Sequence, residues 1–332
     1  MGKKARERHE KWIQNSLIKN FTTQPRFVDF MMCDPTLRRD VDDLIVVSGD
    51  EVSDYISLNG NEAINQWREL PIRPVFDELF LDVSRCNFWT KRFGAVISVV
   101  EQNRVFHETS LHGLSVAEAT ILIERRLTPQ AARYIDIAIF TEDRLGIELS
   151  TYIVLPINEQ GIYLHDREKF AAMYIGRLAE RSAQQHPEYD PVIHEVIVAH
   201  EPDRLRILVH PLLDTIIMSL ALMNCRNISL IDRSPDPTDS AIFRSYFHAP
   251  MLKYKTLSVR SMSKIDVGNR NPQQQFDVMP LHLRRGNFAH YTDDAPLFGK
   301  YTGTFWRPAT VVGNSKNGVV VKDYKVVPPD DE

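Results

Sequence analysis

Cysteine is scarce in this sequence. Only Cys33, Cys86 and Cys225 occur among its 332 residues, and they lie far apart. Three dispersed thiols cannot build a disulfide framework or a four-thiolate metal site. We therefore expect the protein in a reducing cytoplasm.

Long apolar runs are also missing. The most apolar stretch, residues 205–223, is interrupted by Arg206, His210 and Asp214. Its uninterrupted part is shorter than the roughly 20 residues that a bilayer span needs. The first residues are charged, and no apolar signal segment follows them. We therefore expect no membrane contact and interpret residues 205–223 as a buried helix.

Most catalytic signatures are absent as well. The sequence has no Walker A motif, no G-x-G-x-x-G loop and no G-x-S-x-G elbow. His194 and His200 resemble a zinc-binding helix, but six residues rotate two helical positions about 240° apart. These patterns predict no catalytic residue, no metal ligand and no cofactor.

Charge is balanced overall but segregated along the chain. The sequence has 40 Lys and Arg against 44 Asp and Glu, a net charge of −4, which gives no global attraction to nucleic acid. Residues 1–28 carry seven basic and two acidic side chains, residues 29–62 carry two and nine, and residues 250–327 carry 12 and five. Basic ends around an acidic body indicate two faces with different partners, or only a surface that charge keeps soluble.

Hydrophobic periodicity predicts the fold class. Short runs rich in Val, Ile and Phe predict strands, and apolar stripes at helical spacing predict helices. The predicted strands are 76–83, 93–101, 104–111, 134–140, 147–155, 281–284, 305–312 and 319–327. The predicted helices reach Asn20, occupy parts of 38–67, and cover 115–126, 166–184 and 211–224, with a turn at 142–144 and a loop at 232–240. We expect an α+β fold with a mostly antiparallel central sheet, packed helices, an N-terminal helical segment and a C-terminal β-rich basic segment.

Shifts in composition suggest where the chain divides. We expect an N-terminal helical segment over residues 1–70, an α+β core over 71–260 and a basic C-terminal segment over 261–332. The polar residues 263–280 read as a linker or an exposed loop. One compact domain is the alternative, because the length allows either arrangement.

Three carboxylates lie close together in the strand predicted at 76–83, namely Asp77, Glu78 and Asp82. Clustered carboxylates hold Mg²⁺ in nucleases, so a metal-dependent ribonuclease is one candidate function. Strand alternation puts Asp77 on the opposite face, and Glu78 and Asp82 stand roughly 13 Å apart at about 3.3 Å per residue. Solvent-facing positions on a half-buried strand are therefore the favoured interpretation.

The C-terminal segment holds the densest candidate site. The candidate binding residues are His282, Arg284, Arg285, Gly286, Phe288, His290, Tyr291, Trp306 and Arg307. Arginine grips phosphate and aromatic faces stack on bases, which suits nucleic acid. Arg, Tyr and Trp are equally the usual anchors of a protein groove. A β-hairpin whose Arg and Trp side chains stack on each other is a purely structural alternative.

The C-terminal pattern resembles a known family. The run H-x-R-R-G-x-F-x-x-Y from His282 to Tyr291, followed by W-x-P-A from Trp306 to Ala309, looks like the C-terminal signature of the large type V-A anti-CRISPR proteins and their relatives in phages and mobile elements. That family typically reads H-x-R-R-G-H-W-H-x-Y. The likeness extends patchily over about residues 70–312, and only this motif is specific. Asn287, Phe288 and Ala289 replace the family's His, Trp and His, which favours binding over histidine acid–base catalysis or zinc ligation.

The resemblance implies a regulator in the cytoplasm of a bacterial host. Characterised members engage the start of a type V nuclease's nascent polypeptide, and loss of its messenger RNA follows. The expected partners are therefore a nascent polypeptide, held by the central sheet or the acidic front, and RNA or the ribosome, held by the basic C-terminal segment. Because relatives occur outside type V systems, another host or phage protein is an alternative target. A metal-dependent ribonuclease and a protein-only interaction module stay open as alternative functions.

Overall fold

The computed structural model divides the chain into two compact units. Unit 1 comprises residues 1–224 and 228–258, and unit 2 comprises residues 225–227 and 259–332. The structure describes residues 25–33, 35–38, 43–59, 70–85, 92–103, 121, 124–125, 128–143, 146–164, 171–174, 197–198, 210–259, 280–284, 286–308, 310–312 and 314–320.

A nine-stranded mixed sheet forms the centre of unit 1. Its strands are β1 (Ile45–Ser48), β2 (Glu78–Val83), β3 (Phe93–Glu101), β4 (Arg133–Asp143), β5 (Gly146–Ile157), β6 (Ala171–Tyr174), β7 (Ile197–Val198), β8 (Ile228–Arg233) and β9 (Tyr254–Val259). The strand order is β7-β6-β5-β4-β3-β2-β1-β9-β8. All pairs from β2 to β7 are antiparallel, whereas β1 runs parallel to both β2 and β9. The expected α+β class with a mostly antiparallel sheet is confirmed.

Among the described residues, five helices with defined bounds accompany the sheet, and residues 121, 124 and 125, within the helix predicted over 115–126, are helical as well. The five helices are α1 (Phe27–Met31), α2 (Pro35–Arg38), α3 (Asp50–Asn59), α4 (His210–Met223) and α5 (Pro237–Phe247). Helix α4 is buried at every position from Leu212 to Met223, as its apolar sequence predicted. None of these helices combines the length and the apolar character that a bilayer span requires.

Aromatic packing joins α1 and α5 in one core cluster with the sheet. The ring of Phe30 meets the ring of Phe243 edge-on at 6.0 Å, and both rings lie among buried residues of the sheet such as Phe80. Strand β3 comes close to this cluster at Gly94, where an added Cβ would lie 2.2 Å from Cζ of Phe80. Glycine is therefore required there, because any side chain collides with a fully buried ring.

Two predicted elements of unit 1 are wrong. The helix predicted over 166–184 is a strand at Ala171–Tyr174, because this segment pairs with β5. The loop predicted at 232–240 is also wrong, since β8 continues to Arg233 and α5 begins at Pro237. The Asp236 carboxylate accepts from the amides of Thr238 and Asp239, and Pro at the first helical position needs no acceptor.

Smaller differences concern strand bounds. Strand β4 runs through Asp143, so Glu142 and Asp143, which were predicted to lie in a turn, belong to the strand. Strand β1 was not predicted, because residues 38–67 read as interrupted helix. The predicted strand 104–111, the N-terminal helix up to Asn20 and the linker 263–279 lie outside the described residues.

Unit 2 is built from short strands. They are β10 (Pro280–Arg284), β11 (Asn287–Tyr291), β12 (Gly303–Arg307), β13 (Thr310–Val312) and β14 (Asn314–Val320). Strands β13, β10 and β14 form a three-stranded sheet, and β11 pairs with β12. The strand predicted at 281–284 is confirmed, and the strand predicted at 305–312 is divided at Pro308.

The close approach at Gly94 gives a stability prediction. We expect Gly94→Ala to lower the free energy of unfolding by about 1–3 kcal/mol through overpacking against Phe80. Urea denaturation measures the change. The control is Ser98→Ala, at a half-buried position of the same strand, which should stay within about 0.5 kcal/mol of the parent. Equal stability of Gly94→Ala and the parent would contradict the packing described.

Candidate functional site

The two parts of the C-terminal motif lie opposite each other on one β-hairpin. In the sheet that contains β10, Arg284 is the partner of Thr310, and in the β11–β12 pair Asn287 is the partner of Arg307. If the register of the first ladder is continued along both strands, it gives the pairing of the second ladder. The β10–β13 and β11–β12 pairs therefore follow one shared antiparallel register, and we call these four strands the motif hairpin.

Gly286 and Pro308 lie opposite each other in this register, between the two strand pairs. Gly286 is buried and Pro308 is exposed. Pro308 has no backbone N–H and cannot donate to a ladder. The glycine of the Arg-Arg-Gly sequence therefore lies between β10 and β11, opposite a position without a backbone donor.

Aromatic contacts stabilise both faces of the β11–β12 pair. Phe288 and Trp306 are direct cross-strand partners, and their ring centroids lie 4.7 Å apart. On the other face, the ring of Tyr291 meets the ring of Phe305 edge-on at 5.7 Å. Trp306 and Phe305 are both buried. These rings therefore contribute mainly to the packing of the hairpin, through aromatic pairs worth about 0.5–1.5 kcal/mol each.

The Arg307 guanidinium is held by the side chain of Tyr291. Its carbon lies 5.4 Å from the centroid of the Tyr291 ring, and Nη2 donates to the Tyr291 hydroxyl oxygen. No acidic side chain of the described chain lies within ion-pair distance of Arg307. His290 is exposed, and its Nδ1 lies 3.1 Å from Oγ1 of Thr304. One cation and one imidazole are thus positioned on this hairpin.

Asn227 holds the outer edge of β12 in unit 2. Its Nδ2 donates to the carbonyl oxygen of Trp306 at 2.7 Å, and its Oδ1 accepts from the Trp306 amide at 2.9 Å. The amide of Arg226 also donates to the Thr304 carbonyl at 2.9 Å. Asn227 was not among the predicted site residues, because a contact between residues so distant in sequence leaves no local signal.

The remaining predicted residues are only partly placed. His282 and Arg284 lie on β10, where the structure describes the backbone alone, and Arg285 is outside the described residues. Residues 286–308 carry Lys300 and Arg307 against Asp293 and Asp294. The basic surplus of the C-terminal segment therefore comes from residues outside 286–308.

The three carboxylates of the ribonuclease hypothesis do not share a site. Asp77 and Glu78 are exposed, whereas Asp82 is completely buried, so the solvent-facing position expected for Asp82 is wrong. The reason is that β2 lies in the interior of the sheet, with both faces covered from Leu79 to Val83. Within the described ranges, no group of three or more His, Cys, Asp or Glu residues is placed to hold a metal ion.

Asp82 instead anchors the beginning of α1. Its Oδ1 accepts from the amide of Val28 at 2.8 Å, and its Oδ2 accepts from the Ser84 hydroxyl at 2.9 Å. The Ser84 hydroxyl oxygen accepts in turn from the amide of Phe27 at 2.7 Å. Two side chains from the end of β2 therefore satisfy two amides of a helix start that would otherwise be buried without partners.

Burial raises the pKa of Asp82 to about 7, because desolvation penalises its charged form. The nearby Arg26 guanidinium lowers this pKa, while the Asp50 and Asp29 carboxylates raise it. The protonated carboxyl is therefore the form that folding favours.

No protein-family model, curated protein or solved structure matches this chain at a significant level. The function is therefore inferred from the C-terminal motif and from the geometry of its hairpin.

We call the two hydrogen bonds between the Asn227 side chain and the Trp306 backbone the Asn227 clamp. Removing this clamp should lower the stability of the protein. We expect Asn227→Ala to cost about 1–3 kcal/mol, because the buried Trp306 backbone loses one hydrogen bond at its amide and one at its carbonyl. Urea denaturation measures the cost, and acrylamide quenching reports the accessibility of tryptophan. The control is Thr292→Ala, at an exposed position beside the same hairpin. Indistinguishable unfolding curves for the two variants would refute the clamp.

The buried carboxyl predicts a pH dependence. Because the folded-state pKa of Asp82 lies above its unfolded value, its contribution to stability is complete below about pH 4 and is lost as the pH rises toward about 7. Relative to the parent, Asp82→Asn should therefore gain stability between pH 5 and pH 7, by at most about 1.4 kcal/mol for each pH unit.

Thermal unfolding of the parent and of Asp82→Asn across this pH range measures the effect. The control is Glu159→Gln, at an exposed turn position, which should show the same pH profile as the parent. A stability difference between Asp82→Asn and the parent that does not change with pH would show that Asp82 titrates normally.

Proposed function

We propose that this protein is a regulator of the anti-CRISPR type, encoded by a phage or mobile element. It binds the start of a target protein as a nascent polypeptide in the bacterial cytoplasm and lowers expression of that target. A type V RNA-guided nuclease is the first candidate target. RNA or the ribosome is the second contact.

The observation that carries this proposal is the shared register of the motif hairpin. The run from His282 to Tyr291 and the W-x-P-A segment are separated by more than a dozen residues in sequence, yet their described residues fall opposite each other in one register. Because the resemblance rests on these same two segments, their meeting in space supports treating them as one functional unit. Arg284 and Arg307 are the last residues of β10 and β12.

Binding fits the described chemistry better than catalysis does. The hairpin offers a ring-held guanidinium and an exposed imidazole, which are recognition groups. The side chains at Asn287 and Ala289 carry no titratable group, where the related motif has histidines. Asp82, which the ribonuclease hypothesis requires, has both carboxylate oxygens occupied within the fold.

A protein-only interaction module is the second candidate. The balanced charges of residues 286–308 favour it, because a hairpin with equal numbers of acidic and basic side chains has little attraction for phosphate. Salt dependence separates the two candidates, since each phosphate contact makes binding weaker as salt rises.

A reporter experiment tests the proposal. The start of a type V nuclease is fused to a fluorescent protein and co-expressed with this chain, and both fluorescence and reporter mRNA are measured. We expect the parent protein to lower both. Arg284→Ala/Arg285→Ala should restore both while the variant stays soluble.

The matched control is Lys253→Ala/Lys300→Ala, which removes two positive charges at exposed positions outside the motif and should silence like the parent. Full silencing by the soluble double arginine variant would contradict the role of the motif. A fusion without the nuclease segment should stay unaffected throughout.

A further inference from the structure

Strand β8 is the outermost strand of the nine-stranded sheet among the residues that the structure describes, and β9 is the strand that pairs with it. No strand within the described residues lies on its other side. At about 3.3 Å per residue, its six residues span roughly 20 Å, the length of an average strand. An edge of this length presents unpaired N–H and C=O groups to a further strand.

The side chains of β8 give this edge a chemical preference. Ile231 is 39% exposed, and Arg233, two residues further and on the same face, is exposed as well. Nε of Arg233 lies 3.5 Å from Oγ1 of Thr256, and no carboxylate of the described chain is within ion-pair distance of it. Asp232 points to the other face and pairs with Nζ of Lys255 at 2.6 Å. One face of β8 therefore shows an apolar side chain beside a cation that no carboxylate of the described residues neutralises.

We propose that the β8 edge binds an extended segment of the target polypeptide as a tenth strand of the sheet. Its recognition pattern is an apolar side chain beside Ile231 and a carboxylate two residues away, beside Arg233. This inference rests on the proposed function, because it names the surface that holds the polypeptide. Backbone hydrogen bonds supply affinity, and the two side-chain contacts supply selectivity.

The charges favour a foreign strand over a second copy of this chain. In a two-fold antiparallel pair that overlaps all of β8, Arg233 faces Ile228 of the second copy. The guanidinium then stays uncompensated and its neighbour is apolar. A polypeptide with a carboxylate at that place neutralises it, which is worth more at a partly covered edge than in open water.

Binding of synthetic peptides tests the inference. Overlapping peptides that cover the start of a type V nuclease are titrated against the full chain by fluorescence anisotropy. We expect the tightest peptides to contain an apolar residue and a carboxylate two positions apart. Arg233→Glu should weaken them by about tenfold or more, and replacing the peptide carboxylate by lysine should restore binding to that variant.

The control is Lys253→Glu, the same charge reversal at an exposed lysine outside β8, which should bind like the parent. Hydrogen exchange supplies a second measurement, in which the amides of residues 228–233 become protected when the peptide binds. Equal effects of Arg233→Glu and Lys253→Glu, without protection of β8, would overturn the edge site and leave the proposed function standing. Absence of binding by every peptide to the parent would overturn both. A concentration-dependent dimer whose formation protects the amides of residues 228–233 would overturn the edge site in favour of self-pairing.

Discussion

Parallel pairing of β1 is the constraint on which the described architecture of unit 1 depends. The four residues of β1 pair with β2 on one side, and Val47 and Ser48 pair with β9 on the other. Without β1, the antiparallel strands from β2 to β7 would form one sheet, and β8 and β9 would have no place in it. Gly49 ends the strand with its amide bonded to the Asp82 carbonyl at 2.8 Å, and a Cβ there would come within 3.0 Å of the Val83 side chain. One short strand thus determines which strand becomes the outer edge.

The proposed activity divides between two kinds of surface. In unit 2, the β11–β12 pair, which directly follows the Arg-Arg-Gly sequence of the motif, is stabilised by its own rings and by the Asn227 clamp. In unit 1, β8 offers backbone groups and a selective pair of side chains to an extended chain. A nascent polypeptide is extended as it emerges, which suits strand addition more than it suits a deep pocket. Each surface lies within one unit, and each has a separate chemical role in the proposal.

Sequence patterns predicted those elements whose structure is decided locally. Helix α4 and strands β3 to β5 were predicted because their apolar runs are long and uniform. The helix predicted at 166–184 failed because its apolar stripe also fits a strand, and pairing with β5 decides the outcome. Helix α5 had a local signal in Asp236, but its proline-rich start was interpreted as a loop. Of the candidate site, the sequence located the motif residues, whereas the opposition of Arg284 and Thr310 depends on long-range register that no local pattern encodes.

The most direct test of the central claim is co-sedimentation with stalled ribosomes that display a chosen nascent chain. Ribosomes displaying the start of a type V nuclease, and ribosomes displaying an unrelated segment of equal length, are incubated with the purified protein at physiological salt. The proposed function predicts that the protein sediments with the first set and stays in the supernatant with the second. Equal sedimentation with both sets, or with neither, would contradict recognition of a nascent polypeptide.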